Sequence, residues 1–288
     1  MRLTLGARTF DFDREVAVMA VVNRTPDSFA DRGRTLALGA AVDHALAQVE
    51  AGADIVDIGG VKAAPGDEVA VETELRRVLP VVEAVRARSA VPLSVDTFRA
   101  EVAATALEAG ADLINDVGGM TDPKVADVVA AHPGAALVVM HAGGSPRTRP
   151  FRPTYLPDVT TAVVEACRRL ALEARRRGVP RDKIIVDPGH DFGKTTAQSL
   201  ELTRRLPELC ALGYPVLVAL SRKDFLGETL GLPVDQRLEP SLGAAVAAIM
   251  LGARIVRVHD TLQTVRAVRT VESILGWRAP TVSARGLD

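Results

Sequence analysis

Short apolar runs recur along the chain at residues 16–22, 54–58, 92–95, 112–114, 136–140, 183–186, 215–220 and 254–258. Each is rich in Val, Ile or Leu and is bounded by polar or glycine-bearing positions, the pattern of a strand buried on both faces. Roughly 20 to 45 residues separate successive runs, enough for a loop and a crossover helix. The intervening stretches, such as 73–87 and 159–177, are rich in Ala, Leu, Glu and Arg with apolar positions at helical spacing. Two helix-to-strand junctions nearly duplicate each other: Glu50-Ala-Gly-Ala-Asp54 and Glu108-Ala-Gly-Ala-Asp112, with a third at Leu251-Gly-Ala-Arg254. A glycine there reads as a left-handed helix terminus followed at once by a buried strand.

Eight such units predict a closed (β/α)8 TIM barrel rather than an open sheet, and no strand-following GxGxxG argues for the latter. The leading segment, Arg2 to Asp13, alternates apolar and polar residues around Gly6, which predicts a short N-terminal β-hairpin plugging the barrel floor. The expected organisation is a single domain over 1–288, with the hairpin in 1–15, the barrel in 16–277 and a tail in 278–288.

Composition narrows the function classes. The chain has 35 basic and 36 acidic residues and a net charge of −1, which gives no support to nucleic-acid or anionic-membrane binding. Neither Cys167 nor Cys210 sits in a metal-spaced cluster, so free thiols and a cytoplasmic setting are expected. The low-charge run at 241–253 is too short to span a bilayer, so a soluble protein is expected. Walker, HExxH and GxSxG signatures do not occur.

In a barrel enzyme the chemistry sits at the C-terminal ends of the strands. Those positions hold Asn23, Asp57, Asp96, Asn115 with Asp116, His141, Asp187, Ser221-Arg222-Lys223, and Arg257 with His259 and Asp260. Singly, each has an ordinary explanation: Asp57 fixing a turn before Gly59-Gly60, Asp96 or Thr97 capping a helix near Arg99, His141 as a core histidine. Together, several acidic and amide groups aimed at one mouth suit a ligand with multiple N–H donors and carbonyl acceptors. Only five residues are lysine, and Lys62, Lys194 and Lys223 follow predicted strands, as positions calling for a compact ammonium would. Arg222, Lys223, Arg257 and His259 gather cationic donors after the last two strands, where barrels often bind phosphate.

At these residues the chain resembles the dihydropteroate synthases of the pterin-binding barrel superfamily. The matching blocks are Asn23-Arg-Thr-Pro-Asp-Ser-Phe29, Asp57-Ile-Gly-Gly60, Ser94-Val-Asp-Thr97, Ile114-Asn-Asp116, Met140-His141, Asp187-Pro-Gly189 with Phe192-Gly-Lys194, Ser221-Arg-Lys223 and Arg257-Val-His259. The resemblance implies a transferase joining 6-hydroxymethyl-7,8-dihydropterin diphosphate to p-aminobenzoate, with Mg²⁺ as cofactor and a homodimer as the assembly. By the same match, Asp96, Asn115, Asp187 and Lys223 would hold the pterin ring. Asn23, Arg257 and His259 would bind the diphosphate, with Asn23 near the metal, and Ser221 and Phe192 would line the aminobenzoate side. Asp96, Asp187, Lys223 and Arg257 are the expected catalytic set.

The resemblance breaks after Gly60. Where the family has Glu-Ser-Thr-Arg-Pro-Gly, this chain has Val61-Lys-Ala-Ala-Pro-Gly66, so Ala63 and Ala64 stand for a hydroxyl and a guanidinium. Lys62 restores a charge there and is a candidate diphosphate ligand, but it lacks arginine's planar fork. This loop is similar to that of the divergent second synthase copy of actinobacteria. Arg24 in the first loop and His190-Asp191 before Phe192 also depart from the family, and are expected to add polar bulk at the mouth. Besides the synthase, two alternatives stand: a pterin-binding paralogue with little or no synthase activity, and a pterin-dependent methyltransferase domain.

Overall fold

The computed structural model describes residues 1–25, 37–62, 66–144 and 154–285. Its first two strands, β1 (Arg2–Leu5) and β2 (Arg8–Asp11), pair antiparallel as the predicted hairpin. Eight strands follow: β3 (Ala17–Asn23), β4 (Ile55–Gly59), β5 (Leu93–Asp96), β6 (Leu113–Asp116), β7 (Ala136–Met140), β8 (Ile184–Asp187), β9 (Leu217–Val218) and β10 (Ile255–Val258). They form one parallel sheet in the order β8-β7-β6-β5-β4-β3-β10-β9. A parallel bridge from Val186 to Val216 joins its two ends and brings the sheet round to a barrel.

Around the barrel run α1 (Leu38–Glu50), α2 (Val71–Arg86), α3 (Ala100–Glu108), α4 (Lys124–Ala131), α5 (Val159–Arg176), α6 (Thr196–Arg204), α7 (Leu206–Cys210), α8 (Asp224–Leu230), α9 (Leu238–Met250) and α10 (Thr261–Ile274). The glycines that follow α1, α3 and α9 have φ of 95°, 105° and 113° at Gly52, Gly110 and Gly252. Only glycine adopts that backbone without strain, which accounts for the repeated Ala-Gly-Ala junction.

Every barrel strand except β5 alternates between two cores. Outward positions such as Val18, Val56, Ile58, Val95, Ile114, Val139, Val186 and Val256 pack with the helices. Inward positions near the strand starts, Met19, Ile55, Leu113, Ala136, Ile185, Leu217 and Ile255, pack with Leu3, Leu5, Phe10 and Phe12 of the hairpin. The plug is therefore a hydrophobic stopper, with Phe10 and Phe12 stacked at 5.6 Å. In four of these strands the inward column turns polar two residues further on: Ile55 is followed by Asp57, Leu113 by Asn115, Ile185 by Asp187 and Ile255 by Arg257. Strand periodicity thus converts one end of the barrel interior from apolar to polar within a single pleat.

Most strands start a residue later than the apolar runs predict, and several end later. Asn23, Asp96, Asp116 and Asp187 are the last strand residues rather than the first loop residues, and Asp57 lies inside β4. Ladder hydrogen bonding is indifferent to side-chain polarity, so pairing continues past the last apolar residue. The run at 215–220 contributes only the two-residue β9.

Candidate functional site

The polar ends of the barrel strands open into a cavity of about 350 Å³. Its lining includes Asn23, Lys62, Asp96, Asn115, Asp187, Phe192, Ser221, Lys223, Arg257 and His259, the full set of site residues expected from sequence. Strand register supplies the neighbours: Asp96 lies beside Asn115, and Met140 beside Asp187. Gly59 explains itself by space, because a Cβ there would sit 2.9 Å from Asn23 Oδ1. At Gly60 a Cβ would meet Val78 Cγ2 at 2.8 Å, so that glycine lets α2 approach the sheet.

One buried ion-pair network organises the floor. Arg257 donates from Nε to Asp57 Oδ2 at 2.6 Å and from Nη2 to Asp96 Oδ2 at 3.0 Å. Asp57 also accepts from Ser94 Oγ at 2.6 Å and, more weakly, from Asn115 Nδ2 at 3.4 Å. Asp57 is fully buried, is no turn residue, and does not line the cavity; it fixes the arginine and the asparagine that do. Sequence reading misses this role, although the i, i+2 spacing of Ile55 and Asp57 carried the signal of an inward-facing side chain.

Burial pushes the Asp96 carboxyl up to about 8; Arg257 opposes this, and the charges of Asp57, Glu74 and Asp116 reinforce it. Asp187 is likewise raised by burial, against the pull of Lys223, while its Oδ1 accepts the Gly189 N–H at 2.7 Å. Asn115 Oδ1 is buried with no hydrogen-bond partner among the described residues. A buried amide oxygen in this state is costly unless a ligand donor reaches it.

Opposite this floor, Lys223 Nζ donates to the His190 carbonyl and lies 4.8 Å from the Phe192 ring centre. Ser221 Oγ accepts the His259 backbone N–H at 3.2 Å and lies 3.2 Å from its Nδ1.

Several candidates turn elsewhere. Arg222 is paired with Asp260 through Nε and Nη2 at 2.8 and 2.5 Å, so its guanidinium is committed although the residue borders the cavity. Asp116 accepts the N–H groups of Gly118 and Met120, and burial raises its carboxyl to about 7. Lys194 is 1% exposed and donates to the carbonyls of Gly189 and Phe192 and to His141 Nδ1, folding the loop after β8 rather than facing the cavity. Neither Asp96 nor Thr97 caps α3; Asp122 Oδ2 accepts the Ala100 N–H instead.

The expected polar bulk at the mouth is largely absent. Arg24 reaches sideways to α2, and His190 is buried, its Nε2 bonded to Thr203; only Asp191 borders the cavity. Ala63 and Ala64 lie outside the described residues. Among the described residues no group of three His, Cys, Asp or Glu is placed to hold a metal, and no helix is long and apolar enough to cross a membrane.

A parallel barrel with this polar mouth defines a class, and comparison with known proteins supplies the family. The family model described as "Pterin binding enzyme" matches residues 19–259. "Inactive dihydropteroate synthase 2" of Mycobacterium leprae is 48% identical over 292 residues, covering all of both chains. "Dihydropteroate synthase" of Synechocystis is 40% identical over 282 residues, 96% of this chain and 95% of its own. The solved dihydropteroate synthase of Xanthomonas albilineans with 4-aminobenzoic acid superposes with a TM-score of 0.87 at 41% identity, covering 97% of this chain and 99% of its own. The chain belongs to the pterin-binding dihydropteroate synthase family.

Proposed function

We propose that this protein binds a dihydropterin, and its diphosphate ester, in the 350 Å³ cavity and has little or no synthase activity. The unpartnered Asn115 Oδ1 carries the binding half of this reading. It asks for a ligand N–H, the neighbouring Asp96 and Asp187 offer further acceptors, and Lys223 offers a donor to a ring carbonyl. The aminopyrimidinone edge of a pterin presents that combination. Asn23, Lys62 and His259, with Arg257 behind them, would meet the diphosphate.

The second half rests on the loop after β4. A synthase must hold the leaving diphosphate while the aminobenzoate nitrogen attacks the exocyclic methylene, forming a C–N bond as the C–O bond breaks and a proton leaves the nitrogen. Arg257 is drawn into Asp57 and Asp96, and Arg222 into Asp260, so leaving-group neutralisation falls more heavily on this loop. There the chain has Ala63 and Ala64. The similarity to a mycobacterial protein named inactive supports the same conclusion.

Mg²⁺ fits this site only in company. Asn23 offers one neutral oxygen, whereas Mg²⁺ prefers six oxygen ligands, mostly water and phosphate. The residues therefore suit a cation delivered with the diphosphate, one ligand coming from Asn23, where it would supply charge neutralisation. Replacing Ala63 and Ala64 together by Thr and Arg should raise aminobenzoate-dependent turnover at least about tenfold, since a restored bidentate grip acts on transition-state charge. An unchanged rate in that double variant would place the deficit elsewhere.

A further inference from the structure

Proline at position 80 lies inside α2, where it can donate no N–H to the carbonyl four residues earlier. That carbonyl belongs to Arg76. Arg24, the first residue beyond β3, supplies the missing donor: its Nη1 lies 2.9 Å from Arg76 O and 3.1 Å from Arg77 O. The Arg24 backbone N–H in turn donates to Gly59 O at 2.8 Å, and Arg77 Nη1 donates to Gly60 O at 2.9 Å. The end of β3, the end of β4 and the middle of α2 are thus tied into one knot. Two cavity-lining residues sit on its flanks, Asn23 immediately before Arg24 and Lys62 two residues after Gly60.

We infer that Arg24 is a positioning residue which, through the carbonyl orphaned by Pro80, fixes Asn23 and Lys62 relative to each other as the diphosphate corner of the cavity. The inference rests on the dihydropterin reading for its ligand but on the hydrogen bonds alone for its geometry. Holding Arg24 and Arg77 side by side is unfavourable between like charges, and burial with Arg77's charge lowers the Arg24 guanidinium from its ordinary value. The pterin floor, built on β5, β6 and β8, is not part of the knot.

The test has a ligand arm and a ligand-free arm. By calorimetry, Arg24→Ala should weaken 6-hydroxymethyl-7,8-dihydropterin diphosphate about tenfold, while the unphosphorylated pterin changes less than about twofold, since misplacement is confined to the diphosphate corner. Arg24→Lys keeps a donor and should restore most of that affinity. In a Pro80→Ala background the new N–H serves Arg76 O, so Arg24→Ala should cost clearly less than in the native background. Without ligand, peptides covering residues 18–25 and 58–62 should exchange amide hydrogens faster in Arg24→Ala.

Equal weakening of both pterins, equal loss in both proline backgrounds, or unchanged exchange would each overturn the inference. If the wild-type protein binds neither pterin, the functional reading fails, and the exchange experiment alone decides whether the knot exists.

Discussion

At the scale of single residues, Asp57 governs the site without touching the cavity. It is the fully buried partner of Arg257, so Asp57→Ala leaves a guanidinium with one carboxylate fewer in a closed barrel. Removing one member of a buried pair typically costs about 3–5 kcal/mol. Urea unfolding should show a loss of that order; a loss below about 1 kcal/mol, typical of exposed pairs, would mean that Asp57 is not holding the arginine.

Asp96 gives a pH prediction. Its folded-state value of about 8 lies above the ordinary 3.8, so its contribution to stability is full at acid pH and is lost as pH rises through about 8. Asp96→Asn removes that dependence, so the wild type should lose stability relative to the variant between pH 5 and 8, a window set by this raised carboxyl. Parallel stability curves for the two proteins would contradict it. These residues were unequally legible in the sequence. Asp96 and Asn115 stand at strand ends and announce themselves, whereas Asp57 was masked by the turn-like Gly59-Gly60 beside it. Lys194 misled in the opposite direction, since a lysine in a loop after a strand gives no hint that three acceptors have buried its ammonium.

At the scale of elements, the hairpin and the α9–β10 junction show how strongly local pattern constrained the fold. Phe12 is 1% exposed in the cluster that closes the barrel floor, and Phe12→Ala should cost about 3–5 kcal/mol in unfolding experiments, as for other buried aromatics. Because the plug lies at the opposite end of the strands from the cavity, pterin affinity measured below the unfolding transition should be unchanged. A parallel loss of affinity would mean that plug and site are coupled. Strand number, helix placement and the repeated glycine junction were all readable, because each follows from a periodicity or a backbone requirement. Strand ends were less so, since pairing outlasts the apolar run. The turning of Arg24 onto α2 was not readable at all: it depends on Pro80, 56 positions away, leaving a carbonyl that only the folded arrangement brings within reach.

At the scale of the whole molecule, the proposed reading separates a family fold from a family activity. The barrel and its polar cavity floor follow from strand alternation and register, which is why they are visible in the sequence and assembled in the structure. Catalysis adds a second requirement, charge neutralisation at the leaving group, and this chain retains the arginines of the barrel mouth while pairing them internally. The loop that would complete the job carries two alanines. On the proposed reading the protein acts by holding a dihydropterin, with binding drawing on the floor rather than on the loop.

The most direct test of that separation is one titration and one assay on the same preparation. Calorimetry with 6-hydroxymethyl-7,8-dihydropterin diphosphate should give a dissociation constant of about 1–10 μM, corresponding to roughly 7–8 kcal/mol of binding free energy. A coupled assay with p-aminobenzoate and Mg²⁺ should then give dihydropteroate formation at least about a thousandfold below an ordinary turnover of about 10 per second. Turnover at ordinary enzymatic rates, or no measurable binding of the pterin diphosphate, would contradict the account.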